Sequence, residues 1–233
     1  MPSREETRLG NGGSPASPER VVRAAWAFYL VLGLGGLLWI GSREGVIPLE
    51  LFVDPGGWWI DLGLGVGAGA ALLAAWWLLA RSFAAGRELE RKIAEVLGPL
   101  GVDQAIALAF LSGVAEELFF RGAVQGSWGW AWATVLFAVL HTGPGLSFRL
   151  WTLFAVVAGS LIGGLMLWRG NLLAPVVAHF LVNAVNLSRL AAETRRRQAA
   201  EAAGGAHPAK PGDPAGDAAG DAAGSGDTAG DDA

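Results

Sequence analysis

The chain is predicted to be an all-α, polytopic transmembrane helical bundle of about six spans, with N and C termini cytoplasmic. Three observations predict this. Apolar residues make up 52% of the 233 positions and charged residues only 16%, a membrane-protein profile. Apolar runs recur at close to the roughly 20 residues that a spanning helix needs. Arginine and lysine cluster at alternate ends of those runs, which sets an orientation because cationic loops stay on the cytoplasmic side.

Residues 1–20 mix charges with Gly, Ser and Pro and bury too little apolar surface to fold alone, so they are expected to be a disordered N-terminal lead. The first apolar run, Val21–Ile40, is led by Arg20 and Arg23 at its start. It is long enough to span, and no small-residue cleavage pattern follows it, so a retained helix is expected rather than a signal peptide. The second run is Trp58–Ala80, followed by Arg81, Arg87, Arg91 and Lys92. Within Ser82–Leu97, apolar Phe83, Leu89, Ile93, Val96 and Leu97 alternate with charges. This pattern fits an amphipathic helix on the membrane surface or a solvated connecting helix. Residues 21–101 are therefore read as two spans and a connecting helix.

The next runs are Val102–Gln125, Trp130–His141, Phe148–Trp168 and Leu172–Leu190, the second of these short. Together they form a core unit over 102–192. Gly63, Gly65, Gly67 and Gly69 stripe the second span, and Gly159 with Gly163 makes a small-xxx-small pair in the fifth. Both are read as packing devices that let helices approach closely. Arg189 and Arg195 to Arg197 follow the last run. Residues 193–233 turn to Ala, Gly, Asp and Pro and are expected to be a disordered tail, His207 included. Asp213, Asp217, Asp221, Asp227, Asp231 and Asp232 in that tail account for most of the net charge of −4. The apolar body is close to neutral, and nothing points to nucleic acid. The absence of cysteine excludes disulfides, zinc-thiolate sites and thiol nucleophiles.

Ionisable groups inside apolar helices are costly and mark pathways or reacting centres. The third run carries Ala-Glu-Glu-Leu-Phe-Phe-Arg, in which Glu117 and Arg121 are one helical turn apart and can pair. Glu116 lies about 100° around the helix from Glu117 and is left free for another surface. The fourth run ends Phe137-Ala-Val-Leu-His141, and the sixth carries His179-Phe-Leu-Val-Asn183, with Asn186 further along the stripe. A carboxylate and two imidazoles support hydrolysis in two ways. Glu116 can act as general base on a water oriented by His141, or Glu116, His141 and His179 can hold a divalent metal such as zinc. The sequence does not choose between them. Asn183 and His179 can donate to a developing oxyanion.

The ordered combination Glu116-Glu117-xxx-Arg121, Phe137-xxx-His141 and His179-xxx-Asn183 resembles the CPBP family (CAAX protease and bacteriocin-processing, Abi) of intramembrane endopeptidases, over roughly Asp103 to Leu190. The resemblance implies an intramembrane hydrolase of the CAAX type, in the bacterial inner membrane, acting on a membrane protein or a lipidated, prenylated peptide. It implies that Glu116 activates water with His141 and that His179 and Asn183 stabilise the oxyanion; Glu117, Arg121, Phe137 and Asn186 are read as structural, supporting residues. Family members are often described as metalloproteases, although no His-Glu-x-x-His string is present here. Two other classes fit apolar helices with buried charge: a non-enzymatic adaptor or immunity protein that binds a membrane partner, and a proton-coupled transporter. The latter favours an internal repeat, which this sequence does not show.

Overall fold

The computed structural model describes residues 18–97 and 100–205, and among them there is no strand. The helices are α1 (Pro18–Glu44), α2 (Trp58–Ser82), α3 (Ala84–Leu97), α4 (Val102–Glu117), α5 (Gly126–Trp128), α6 (Trp130–Leu140), α7 (Leu146–Arg169) and α8 (Leu173–Gly205). A π-helical segment, Leu118–Gln125, joins α4 to α5, and a 3-10 turn, Leu49–Leu51, sits between α1 and α2. Four helices among the described residues, α1, α2, α7 and α8, are long and apolar enough to cross a membrane. The two remaining expected spans differ in kind. The third run is helical from Val102 to Trp128 but changes to π geometry midway, and α6 is a short apolar helix.

Glycine sets two of the breaks. Gly129 separates α5 from α6 at φ 88, and Gly170 ends α7 in the left-handed region at φ 71, its N–H donating to Met166 O. A side chain at either position would be strained.

The bundle is organised around α8, which packs against both α2 and α4. Gly65 and Gly69 of α2 permit the first contact. A Cβ on Gly65 would come within 2.7 Å of Val177, and one on Gly69 within 3.0 Å of the Ala178 carbonyl. Gly63 and Gly67 have nothing within 4 Å of a Cβ and lie on the open face of the same helix. The glycine stripe is thus a packing device at alternate members only. Leu72, Ile162, Leu165, Ala174 and Ala178 form a core cluster where α2, α7 and α8 meet. Phe28, Leu38, Leu78, Phe110, Val139 and Leu167 point outward, as lipid-facing side chains do.

The two ends of the bundle differ. At one end, Arg169 of α7 pairs with the fully buried carboxylate of Asp61 in α2, and Asn171 donates to the same carboxylate at 2.9 Å. Exposed Trp58, Trp59, Trp128, Trp130, Trp132 and Trp168 gather on elements at this end, in the manner of an interfacial aromatic belt. At the other end lies α3, whose Leu89 is buried against Trp76 and Ala80, with Ile93 beside it. Its outer face is charged, Arg91 pairing with Glu88 and Glu95. The stretch is thus an amphipathic helix whose apolar face packs on the bundle.

Helix α8 continues past the expected boundary of the tail: residues 193–205 are helical. Ala, Glu, Gln and Arg are strong helix formers, and Glu193 pairs with Arg197 one turn on. The lead expected at 1–20 likewise gives way to helix at Pro18. Residues 1–17 and the acidic stretch 206–233 with His207 lie outside the described residues.

Candidate active site

The polar residues of α4, α6 and α8 converge on a cavity of about 250 Å³ lined by Glu116, Phe137, His141, His179, Asn183 and Asn186, among others. All four residues expected to carry chemistry are thus at one place. Each is delivered by a different local device.

Glu117 and Arg121 are buried at the junction of α4 and the π segment, with Glu117 Oε2 3.1 Å from Arg121 Nε. The same carboxylate reaches α8: His179 Nδ1 lies 2.7 Å from Glu117 Oε1. A carboxylate only accepts, so Nδ1 carries the proton and Nε2 is turned towards Glu116, whose Oε2 is 3.9 Å away. Glu116 Oε2 is buried and has no hydrogen-bond partner among the described residues. One carboxylate therefore holds the helices and the histidine, and the other faces the cavity.

The π segment is held from two sides. Arg43 of α1 donates to the carbonyls of Gly122 and Ala123, each at 3.2 Å. Arg121 donates to Gly159 O at 3.3 Å and Gln125 to Gly163 O at 2.9 Å. Gly159 and Gly163 thus serve as buried backbone acceptors as well as packing surfaces. Widened π turns of this kind are frequent at functional sites.

His141 caps the C-terminus of α6, with Nδ1 2.7 Å from Phe137 O. The carbonyl accepts, which leaves Nε2 as the free acceptor in the neutral ring. The Arg121 guanidinium lies 4.8 Å from the centroid of the Phe137 ring, close enough for a cation–π contact. Asn183 Nδ2 donates to Ser112 Oγ at 2.9 Å, and Ser112 in turn donates to Ala109 O.

Three residues at this cavity were not singled out by sequence reasoning. Ser112 stands one turn before Glu116 on α4, so its spacing was a usable signal. Tyr29, the chain's sole tyrosine, comes from α1, lines the cavity and interacts with Glu116. Trp151 of α7 stacks on His141. Nothing in local sequence links the last two to the motifs.

The expected zinc set of Glu116, His141 and His179 does not fit. Among the described residues no three His, Asp or Glu side chains are grouped closely enough to hold a metal ion. His141 Nδ1 and His179 Nδ1 are held by Phe137 O and Glu117, which leaves each Nε2 as the atom that faces the cavity.

With three helices delivering a carboxylate and two histidines to one cavity, the segment can be compared with known proteins. Residues 99–185 match the Rce1-like family. The family model is described as type II CAAX prenyl endopeptidase Rce1-like, and the Rce1-like segment contains Glu116, Glu117, Arg121, Phe137, His141, His179 and Asn183. Tyr29 and Asn186 fall outside it. The chain is also similar to the uncharacterized protein YpbD of Bacillus subtilis (strain 168), 36% identical over 108 residues, covering 44% of this chain. It spans about half, 54%, of the length of that relative. No solved structure gives a significant match.

Proposed function

We propose that the protein is an intramembrane endopeptidase of the CAAX type, with Glu116 as general base and His141 as its partner in holding the attacking water. The observation that carries this reading is the buried Glu116 Oε2, without a hydrogen-bond partner among the described residues, inside a cavity that Glu116 shares with His141, His179 and Asn183. The match of residues 99–185 to a prenyl endopeptidase family supports it.

A water bound there donates one hydrogen to the Glu116 carboxylate and the other to His141 Nε2. As the water oxygen attacks the scissile carbonyl carbon, Glu116 takes its proton, and the carbonyl oxygen becomes an oxyanion. Asn183 uses one amide hydrogen on Ser112 and has a second for the oxyanion. His179 already donates Nδ1–H to Glu117, so it contributes a second donor through Nε2 only when doubly protonated. Collapse breaks the C–N bond, and Glu116 returns the proton to the leaving amine.

The substrate class is a membrane protein or lipidated peptide. The cavity wall is largely apolar, including Leu72, Leu108, Phe154 and Ile162, which suits an apolar chain beside the cleaved bond. Six spans with both termini cytoplasmic complete the reading. In this arrangement the described α4–π–α5 helix and short α6 cross between the long ones, and the Trp-rich end faces outward.

Cleavage of a panel of membrane peptides, including a farnesylated C-terminal peptide, by purified protein in lipid tests the proposal. Wild type should turn over at least one of them and Glu116→Gln should not. Turnover that survives Glu116→Gln would sink it. A chelator added in parallel reports independently on metal dependence.

A further inference from the structure

His141 occupies the last turn of a short helix, where the backbone ladder holds it least. Its backbone sits at φ −102, outside regular helical geometry. Three contacts nevertheless fix it. Nδ1 is tied to Phe137 O, the Phe137 ring lies 4.2 Å from its ring centroid, and the Trp151 indole lies 5.7 Å away, stacked at 25°.

Trp151 belongs to the first turns of α7, and the neighbouring Thr152 hydroxyl, its one hydrogen shared with Phe148 O at 2.9 Å, lies 3.0 Å from the His141 carbonyl. One stretch of α7 therefore contacts both backbone and ring of His141. Trp151 is itself supported: Trp76 of α2 meets it edge-on at 6.0 Å and 84°. Trp76 is buried, and its indole N–H donates to Glu90 of α3 at 3.1 Å. A continuous line of contacts runs from Glu90 through Trp76 and Trp151 to the imidazole.

We propose that Trp151 is the positioning residue of His141, holding the imidazole plane so that Nε2 faces the water shared with Glu116. This rests on the peptidase reading of the cavity. The physical reason is that the Phe137 hydrogen bond anchors the ring at one atom and leaves rotation about that anchor. A second flat face removes that freedom. A misplacement of about 1 Å at a reacting group costs up to ~10²-fold in rate, so the stacked indole matters to turnover without touching substrate.

The experiment uses the full chain in lipid with ¹³C-labelled histidine. The sequence holds three histidines, and His141→Gln and His179→Gln assign the signals. In Trp151→Leu the His141 ring signal should shift and broaden while that of His179 stays, which also reports an intact fold. Trp151→Phe should restore it. In turnover, Trp151→Leu should lower kcat about tenfold with KM changed by less than about twofold, and Trp151→Phe should recover most of it. If Trp151→Leu does not fold, Trp151→Met repeats the test with another ringless apolar side chain. An unmoved His141 signal, or a loss confined to KM, would overturn the assignment. Failure of the peptidase reading would show separately, as absence of Glu116-dependent turnover in wild type. The histidine spectrum decides the role of Trp151 in either case.

Discussion

Glu117 accepts the Nδ1–H of His179 at 2.7 Å with one oxygen and stands 3.1 Å from the Arg121 guanidinium with the other, so a single buried carboxylate ties α4, the π segment and α8 together. Its neighbour Glu116 has a buried oxygen with no hydrogen-bond partner among the described residues. Adjacent residues of one type thus have separable tasks, and substitution should separate them.

Glu116→Gln should abolish turnover by roughly 10²–10⁴-fold, the range for loss of a general base. It should leave the thermal midpoint in detergent close to wild type, since glutamine is nearly isosteric and keeps an acceptor oxygen for Tyr29. Glu117→Ala should instead destabilise by about 3–5 kcal/mol, because Arg121 is left as an uncompensated buried charge. Thermal unfolding alongside peptide cleavage reads both. Equal loss of stability in the two variants would contradict the division of roles.

Ser112→Ala removes the acceptor that orients the Asn183 amide. The proposed mechanism expects a fall in kcat smaller than the roughly 10²-fold of losing an oxyanion donor outright, and Asn183→Ala should show that larger loss. A Ser112→Ala enzyme with unchanged kcat would remove Asn183 from the oxyanion role.

Gly65→Ala should destabilise by about 1–3 kcal/mol, the cost of overpacking, since its Cβ would meet Val177 at 2.7 Å and the Ala174 carbonyl at 2.8 Å. Gly67→Ala, two residues on, meets nothing within 4 Å and should be neutral or slightly stabilising through its better helix propensity. Midpoints of the two variants that move together would argue against this packing of α2 on α8.

Because the chain has no cysteine, single cysteines introduced into the native background report topology directly. A six-span arrangement predicts that Glu50→Cys and Ser127→Cys are labelled from outside the cell by an impermeant maleimide, and Arg87→Cys and Arg196→Cys only after permeabilisation. Labelling of Ser127→Cys only from within would show that the α4–π–α5 helix does not cross.

The motif residues were legible because intramembrane charge is too expensive to keep without a task. Glu116, His141, His179 and Asn183 stood out against apolar surroundings and do share a cavity. Asp61 has the same cost and was overlooked, since its partners Arg169 and Asn171 are more than 100 positions away and no local spacing relates them. The π geometry of Leu118–Gln125 was equally hidden. It depends on Arg43, Gly159 and Gly163 supplying partners from other helices.

Composition and periodicity alone determined that this chain is helical, where its apolar runs lie and which polar residues are costly, because burial in lipid constrains every residue independently of its neighbours. Tertiary structure alone decided that His179 answers to Glu117 and that Tyr29 and Trp151 join the cavity. Hydrogen-bond direction and ring stacking depend on which helix faces which, and helix pairing arises from contacts between segments far apart in sequence.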